Sequence, residues 1–218
     1  MATRRPVGNL LALAVLAALY PQPMHPYEIA KMLKATGKEH DMSLKWGSFY
    51  TVIRNLDKHR LIAAVGATRQ GNRPERTTYA ITDAGRAELV DWVRELVSTP
   101  RPEESGFRAG LSVLPVLHPD VAVDMLQERL GRLAERRDAD RAALDATVAR
   151  VPRLFLIESE YDLALLEAEI AWTRTLVDEF ETGTFPGLDQ WRVVHETGEF
   201  PVDLTEAYDM AHRDDAGP

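Results

Sequence analysis

Residues 47–60 read Gly47-Ser48-Phe49-Tyr50-Thr51-Val52-Ile53-Arg54-Asn55-Leu56-Asp57-Lys58-His59-Arg60. Phe49, Val52, Ile53 and Leu56 fall at i, i+3, i+4 and i+7, the spacing of a single apolar stripe on an α-helix. The opposite face carries Gly47, Thr51, Arg54, Asn55 and Lys58, with Ser48 and Tyr50 flanking it. One side of this helix is built to join a core. The other offers hydrogen-bond donors, two of them cationic.

Working outward, residues 7–20 predict an apolar helix that ends before Pro21. Pro26 suits the first turn of a second helix over about 26–36, with Tyr27, Ala30 and Leu33 expected on one face and Gly37 as its stop. Downstream, two β-prone runs, about 62–68 and 76–82, flank the turn-rich stretch Arg69-Gln70-Gly71-Asn72-Arg73-Pro74. They predict a β-hairpin with arginines at its tip. Thr82 then caps a helix over about 83–98, and Pro100 and Pro102 close the module.

The order helix, helix, polar-faced helix, basic-tipped hairpin, helix is a winged helix-turn-helix plan. A helix fits the DNA major groove and must present donors to base edges and phosphates there. The candidate DNA-contacting residues are Lys45, Ser48, Tyr50, Thr51, Arg54, Asn55 and Lys58 on or beside the helix, and Arg69, Arg73 and Arg76 on the wing. Thr51, Arg54 and Asn55 suit base reading; Lys58 and the wing arginines suit phosphate or the minor groove.

On these residues the sequence resembles the PadR family of bacterial transcriptional regulators. The matching stretches are Leu11 to Leu19, His25-Pro26-Tyr27-Glu28-Ile29, Gly47-Ser48-Phe49-Tyr50 through Leu56, Leu61-Ile62, and Tyr79-Ala80-Ile81-Thr82-Asp83-Ala84-Gly85-Arg86. The resemblance covers roughly residues 7–98. Thr51 and Arg60 depart from the family's usual proline and glycine at those places. The resemblance implies a dimer on an inverted repeat, usually repressing a promoter, with release by a small molecule or signal. Some members respond to phenolic acids and others to hydrophobic drugs.

The second half predicts a short helix over 103–117, a long one over about 120–150, a break at Pro152 and another over about 154–182. Two long helices joined at a proline should fold back as an antiparallel hairpin. The last carries Leu156, Leu163, Leu166, Ile170 and Val177 on one stripe, and Tyr161, Leu165, Ala168 and Trp172 on a second beside it. Two adjoining stripes are wider than one partner helix covers, which points to a homodimer. The first stripe is the candidate dimerisation surface, as in the helical domain of the larger family members. Trp92 and Trp172 are candidates for lining a pocket for a small aromatic or hydrophobic effector. Residues 183–218 hold 8 acidic and 2 basic residues together with Phe185, Trp191, Phe200 and Tyr208. Partial packing is expected there, with a short helix near 203–211.

The expected architecture is therefore mainly α: a winged helix-turn-helix with a small hairpin wing over 1–99, an antiparallel helical domain over 100–182, and an acidic extension over 183–218. Charge follows that division. Residues 1–100 carry 14 Lys/Arg against 9 Asp/Glu, and residues 101–218 carry 12 against 25. A module of net +5 favours polyanions although the whole chain stands at −8. With no cysteine among 218 residues, disulfides, cysteine-held zinc, iron–sulfur clusters and thiol catalysis are excluded. The histidines lie on different elements without ligand spacing, so no metal is expected. Carboxylate pairs such as Glu158 and Asp162 suit the solvated face of a long helix better than an acid–base site. No cofactor and no enzymatic activity are expected. Arg4-Arg5 before the apolar run at Leu10–Leu19 imitates a signal peptide, but the run is shorter than the roughly 20 residues a bilayer requires. A buried helix of a cytoplasmic protein, with no membrane partner, is the expectation. The alternative to a DNA-binding regulator is an interaction module whose helical half binds a protein or small ligand and whose DNA binding is vestigial.

Overall fold

The computed structural model describes residues 5–37, 45–68, 76–100 and 105–199. The chain divides into two compact units, between residues 102 and 103.

The first unit is organised around α1 (Leu10–Leu19), in which all but Leu10 and Ala17 are buried. Its sequence is apolar on every face because α2 (Pro26–Ala35), α3 (Phe49–Lys58), strand β2 (Arg76–Ile81) and α4 (Asp83–Ser98) all pack around it. The signal-like apolar run is thus the centre of a core. Asn9 caps α1 through the backbone N–H of Leu11 at 2.7 Å. His25 and Glu28 form a reciprocal capping box at the start of α2. The buried face of α2 is Pro26, Ile29 and Leu33, which corrects the expectation for Tyr27: that ring is 64% exposed.

In α3, Phe49, Val52, Ile53 and Leu56 are all buried, as their spacing predicted. The helix ends in a Schellman turn. Arg60, at φ 58°, donates its N–H to Asp57 O at 2.8 Å, and Leu61 donates to Leu56 O at 2.9 Å. Leu56 and Leu61 are both buried in the core. Strand β1 (Ile62–Thr68) pairs antiparallel with β2, Ile62 opposite Ile81, with a bulge between Ala64 and Gly66. Met24 and Tyr79 exchange two backbone hydrogen bonds of 3.0 Å, which tie the α1–α2 connection to the hairpin.

Thr82 closes the base of the wing. Its N–H donates to Leu61 O at 3.1 Å, its hydroxyl donates to Arg60 O at 2.7 Å, and its oxygen accepts from Gly85 N–H at 3.0 Å as the cap of α4. Farther along α4, Arg5 reaches Glu88 at 2.8 Å and Asp91 at 3.1 Å, pairs with Glu95, and lies over the Trp92 ring at 5.1 Å. Burial opposes the charge of Arg5, but the bonds to Glu88, Glu95 and Asp91 outweigh it and hold the guanidinium above its ordinary pKa.

The second unit contains α5 (Gly106–Ser112), α6 (Pro119–Val148), α7 (Ile157–Thr182) and α8 (Leu188–Thr197). Helices α6 and α7 pack along each other as the predicted hairpin, bridged by Arg129 to Glu169 and Arg141 to Glu167. Arg153, in the turn between them, holds Glu160 at 2.9 Å; that hydrogen bond keeps the Glu160 carboxyl below the usual carboxylate range. Gly183, at φ 71°, ends α7. Helix α8 lies in the segment expected as an extension. It buries Leu188, and Trp191 donates its indole N–H to Leu117 O at 3.0 Å. Leu126, Val177, Phe180 and Leu188 form the buried centre here, with Trp191 and Phe185 against it. The helix anticipated near 203–211 lies outside the described residues.

A Cβ added to Gly85 would stand 1.9 Å from Leu61 O. Alanine gains about 1 kcal/mol in helix propensity, but forcing α4 off the wing base costs about 3 kcal/mol. Gly85→Ala is expected to destabilise the protein by about 2 kcal/mol net, read from the urea midpoint; an unchanged midpoint would show that the wing base yields freely.

Candidate nucleic-acid interface

Burial of the Phe49 stripe turns the other side of α3 outward. Tyr50, Thr51, Arg54, Asn55 and Lys58 are all exposed, as is Lys45 ahead of the helix. Tyr50 packs edge-on against Phe49 at 5.4 Å, and Phe49 in turn meets Trp46 at 5.6 Å. The phenol is 60% exposed, so the ring is braced while its hydroxyl stays available. Arg54 donates to the Thr51 hydroxyl oxygen at 3.0 Å, which lines up the two side chains and leaves the Thr51 proton free to be donated. Ser48 is half-buried and spends its hydroxyl proton on Lys45 O at 2.9 Å. Its role is to hold the turn into α3 rather than to offer a free donor.

The electrostatics are one-sided. Among the described residues, Lys45, Arg54, Lys58 and Arg60 form no ion pair. The arginines of α6 are different: Arg129, Arg132, Arg136, Arg137 and Arg141 each hold a carboxylate. Cations left without carboxylates on a face of exposed hydroxyl and amide groups are suited to phosphates and base edges.

Of the wing candidates, Arg69 and Arg73 lie outside the described residues. Arg76 opens β2 opposite Thr68, and only its backbone is described.

The remaining candidates are placed differently from expectation. Leu156, Leu163, Leu166, Ile170 and Val177 are buried within their own chain, which corrects their assignment as the partner-facing stripe. The hairpin needs one apolar face of α7 for α6 and uses this one. The second stripe stays open: Tyr161 is 60%, Leu165 48% and Trp172 49% exposed. Trp92 is 5% exposed in the core of the first unit, so it packs that core and offers no ring to a ligand. Trp172 belongs to the second unit, edge-on to Phe107 at 6.1 Å. A shallow cleft of about 180 Å³ in the second unit is lined by Pro119, Val123, Phe180, Leu188 and Arg192 with three carboxylates, and by neither tryptophan. No group of three or more His, Asp or Glu among the described residues is placed to hold a metal ion. No helix among them is long and apolar enough to cross a membrane.

Sequence reasoning missed two features. Helix α8 has a signal in hindsight: Gly187 and Gly198, both left-handed, bracket ten residues containing Leu188, Trp191 and Val194. Arg60 was noted only for its identity; its signal is a cation standing where a helix must reverse.

Residues 15–91 match the family model described as the transcriptional regulator PadR-like family. Over this segment the chain is similar to the PadR-like family. A probable transcriptional regulator of Mycobacterium tuberculosis, Rv1176c, is 30% identical over 93 residues, which cover 41% of this chain and 46% of that protein. The chain therefore matches about half the length of that relative. Among solved structures, Bacillus subtilis PadR in complex with operator DNA superimposes with a TM-score of 0.66 at 20% identity, over 79% of this chain and 99% of that one. The same protein in complex with p-coumaric acid gives 0.64 at 19% identity over the same shares. The Vibrio cholerae virulence activator AphA gives 0.58 at 20% identity, over 79% and 98%. At these identities the likeness establishes the fold.

Within this PadR-like frame, Arg54→Ala is expected to weaken binding to promoter DNA by about 1–3 kcal/mol and to relax preference at one base pair. Titration of base-substituted duplexes checks it. An equal loss on every sequence would make Arg54 a phosphate contact instead.

Proposed function

We propose that this protein is a homodimeric transcriptional repressor that binds an inverted-repeat operator and is released by a small aromatic or hydrophobic effector. The observation that carries the reading is the outward face of α3. Thr51, Arg54, Asn55 and Lys58 stand exposed there, and neither cation forms an ion pair among the described residues. An inverted repeat calls for a two-fold protein, with recognition helices spaced for half-sites about 34 Å apart. The open stripe of α7, with Tyr161, Leu165 and Trp172, supplies an apolar face for the second copy. Bacillus subtilis PadR has been captured both with operator DNA and with p-coumaric acid, which supports this operator and effector chemistry for a chain of the same fold. An effector acts by changing the half-site spacing, because a small mismatch removes one half-site's contacts.

The test is a gel shift of the purified protein on its own upstream promoter DNA across a salt series, with and without aromatic acids. Specific binding that falls steeply with salt and is lost with an acid supports the reading. Failure on the promoter and on a genomic DNA library would return the protein to the interaction-module alternative.

Leu165→Asp is expected to leave the fold intact, since the side chain is half exposed, and to shift the protein to monomer in light scattering. Operator affinity should fall by about 10²-fold or more as bivalency is lost. A dimer that persists would place the interface elsewhere.

A further inference from the structure

We infer that Arg60 is a phosphate-contacting residue, held at the junction of α3 and the wing in a conformation an arginine adopts only under constraint. Among the described residues it is the one non-glycine with positive φ, at 58°. An L-side chain there crowds the following carbonyl, and glycine fits the place without penalty. The surroundings leave the backbone no choice. Its N–H is bonded to Asp57 O at 2.8 Å, Leu61 N–H reaches back to Leu56 O at 2.9 Å, and its carbonyl accepts the Thr82 hydroxyl at 2.7 Å. The fold needs the turn and has no use for the side chain: Arg60 is exposed and forms no ion pair among the described residues. Strain of this kind at an exposed position points to function.

The location says which function. Lys58 stands two residues earlier on the outward face of α3, and β1 begins two residues later at Ile62. A helix in the major groove and a hairpin reaching the neighbouring groove have one sugar–phosphate strand between them. A cation at the joint of the two elements meets that strand, and a guanidinium suits its phosphates. The inference rests on the DNA-binding reading above.

The test uses the full-length protein, its Arg60→Gly and Arg60→Lys variants, and two probes: the upstream promoter duplex and a random-sequence duplex at low salt. Arg60→Gly is expected to raise Tm by about 2–4 °C as the strain is relieved. It should also weaken binding about tenfold on both duplexes and make the slope of log K against log salt shallower by about one per protomer. Arg60→Lys keeps the charge and should retain most of the affinity. Arg60→Gly with wild-type affinity and slope overturns the inference and leaves DNA binding standing. A lower Tm with unchanged affinity also overturns it, assigning Arg60 to the terminus of α3. If the wild-type protein binds neither duplex, the DNA-binding reading falls and this inference with it.

Discussion

A ten-residue helix that is apolar on every side is the constraint on which the first unit depends. Water tolerates no face of α1, so neighbours must cover it from all directions. Helices α2, α3 and α4 and the inner strand of the wing do so. Their orientations follow: each turns its apolar stripe to α1 and its polar side away. The donor-bearing face of α3 points outward because the Phe49, Val52, Ile53 and Leu56 face has only one place to go. The candidate interface is thus a product of core burial, while Glu88, Asp91 and Glu95 of α4 are engaged by Arg5.

A second constraint operates where α3, the wing and α4 meet. The carbonyls of Arg60 and Leu61, the hydroxyl and N–H of Thr82, and the missing Cβ of Gly85 share one small volume. Thr82 satisfies both carbonyls there, so the angle between α3 and the hairpin has little freedom. That rigidity is what a two-element reader of DNA requires, since helix and wing must address adjacent grooves together.

The second unit is held differently. Its long hairpin is tied by cross-helix ion pairs, Arg129–Glu169 half-buried and Arg141–Glu167 exposed, each worth at most about 1 kcal/mol. Its deeper burial is concentrated at one end, around Leu126, Val177, Phe180 and Leu188. There Phe185 and Trp191, in a segment that is acidic overall, complete the packing. An acidic composition did not prevent structure because a few aromatics at helical spacing bury enough surface to order the chain.

The amino-acid sequence by itself determined the winged plan, the buried and exposed faces of α3, the Thr82 cap and the long helical hairpin. Each is written in local periodicity or in a residue whose chemistry permits few conformations. Three matters were decided only by tertiary structure. Which of two adjoining stripes on α7 faces α6 depends on where the other helix lies, and both stripes have the same spacing; the Leu163 stripe is covered and the Trp172 stripe is open. Whether Tyr27 or Ile29 faces the core depends on the rotation of a short helix, and its ten residues of sequence do not specify it. Arg60 reads locally as an ordinary surface arginine. Its left-handed backbone comes from hydrogen bonds to Asp57 and from Thr82, 22 residues away, a separation over which periodicity carries no information.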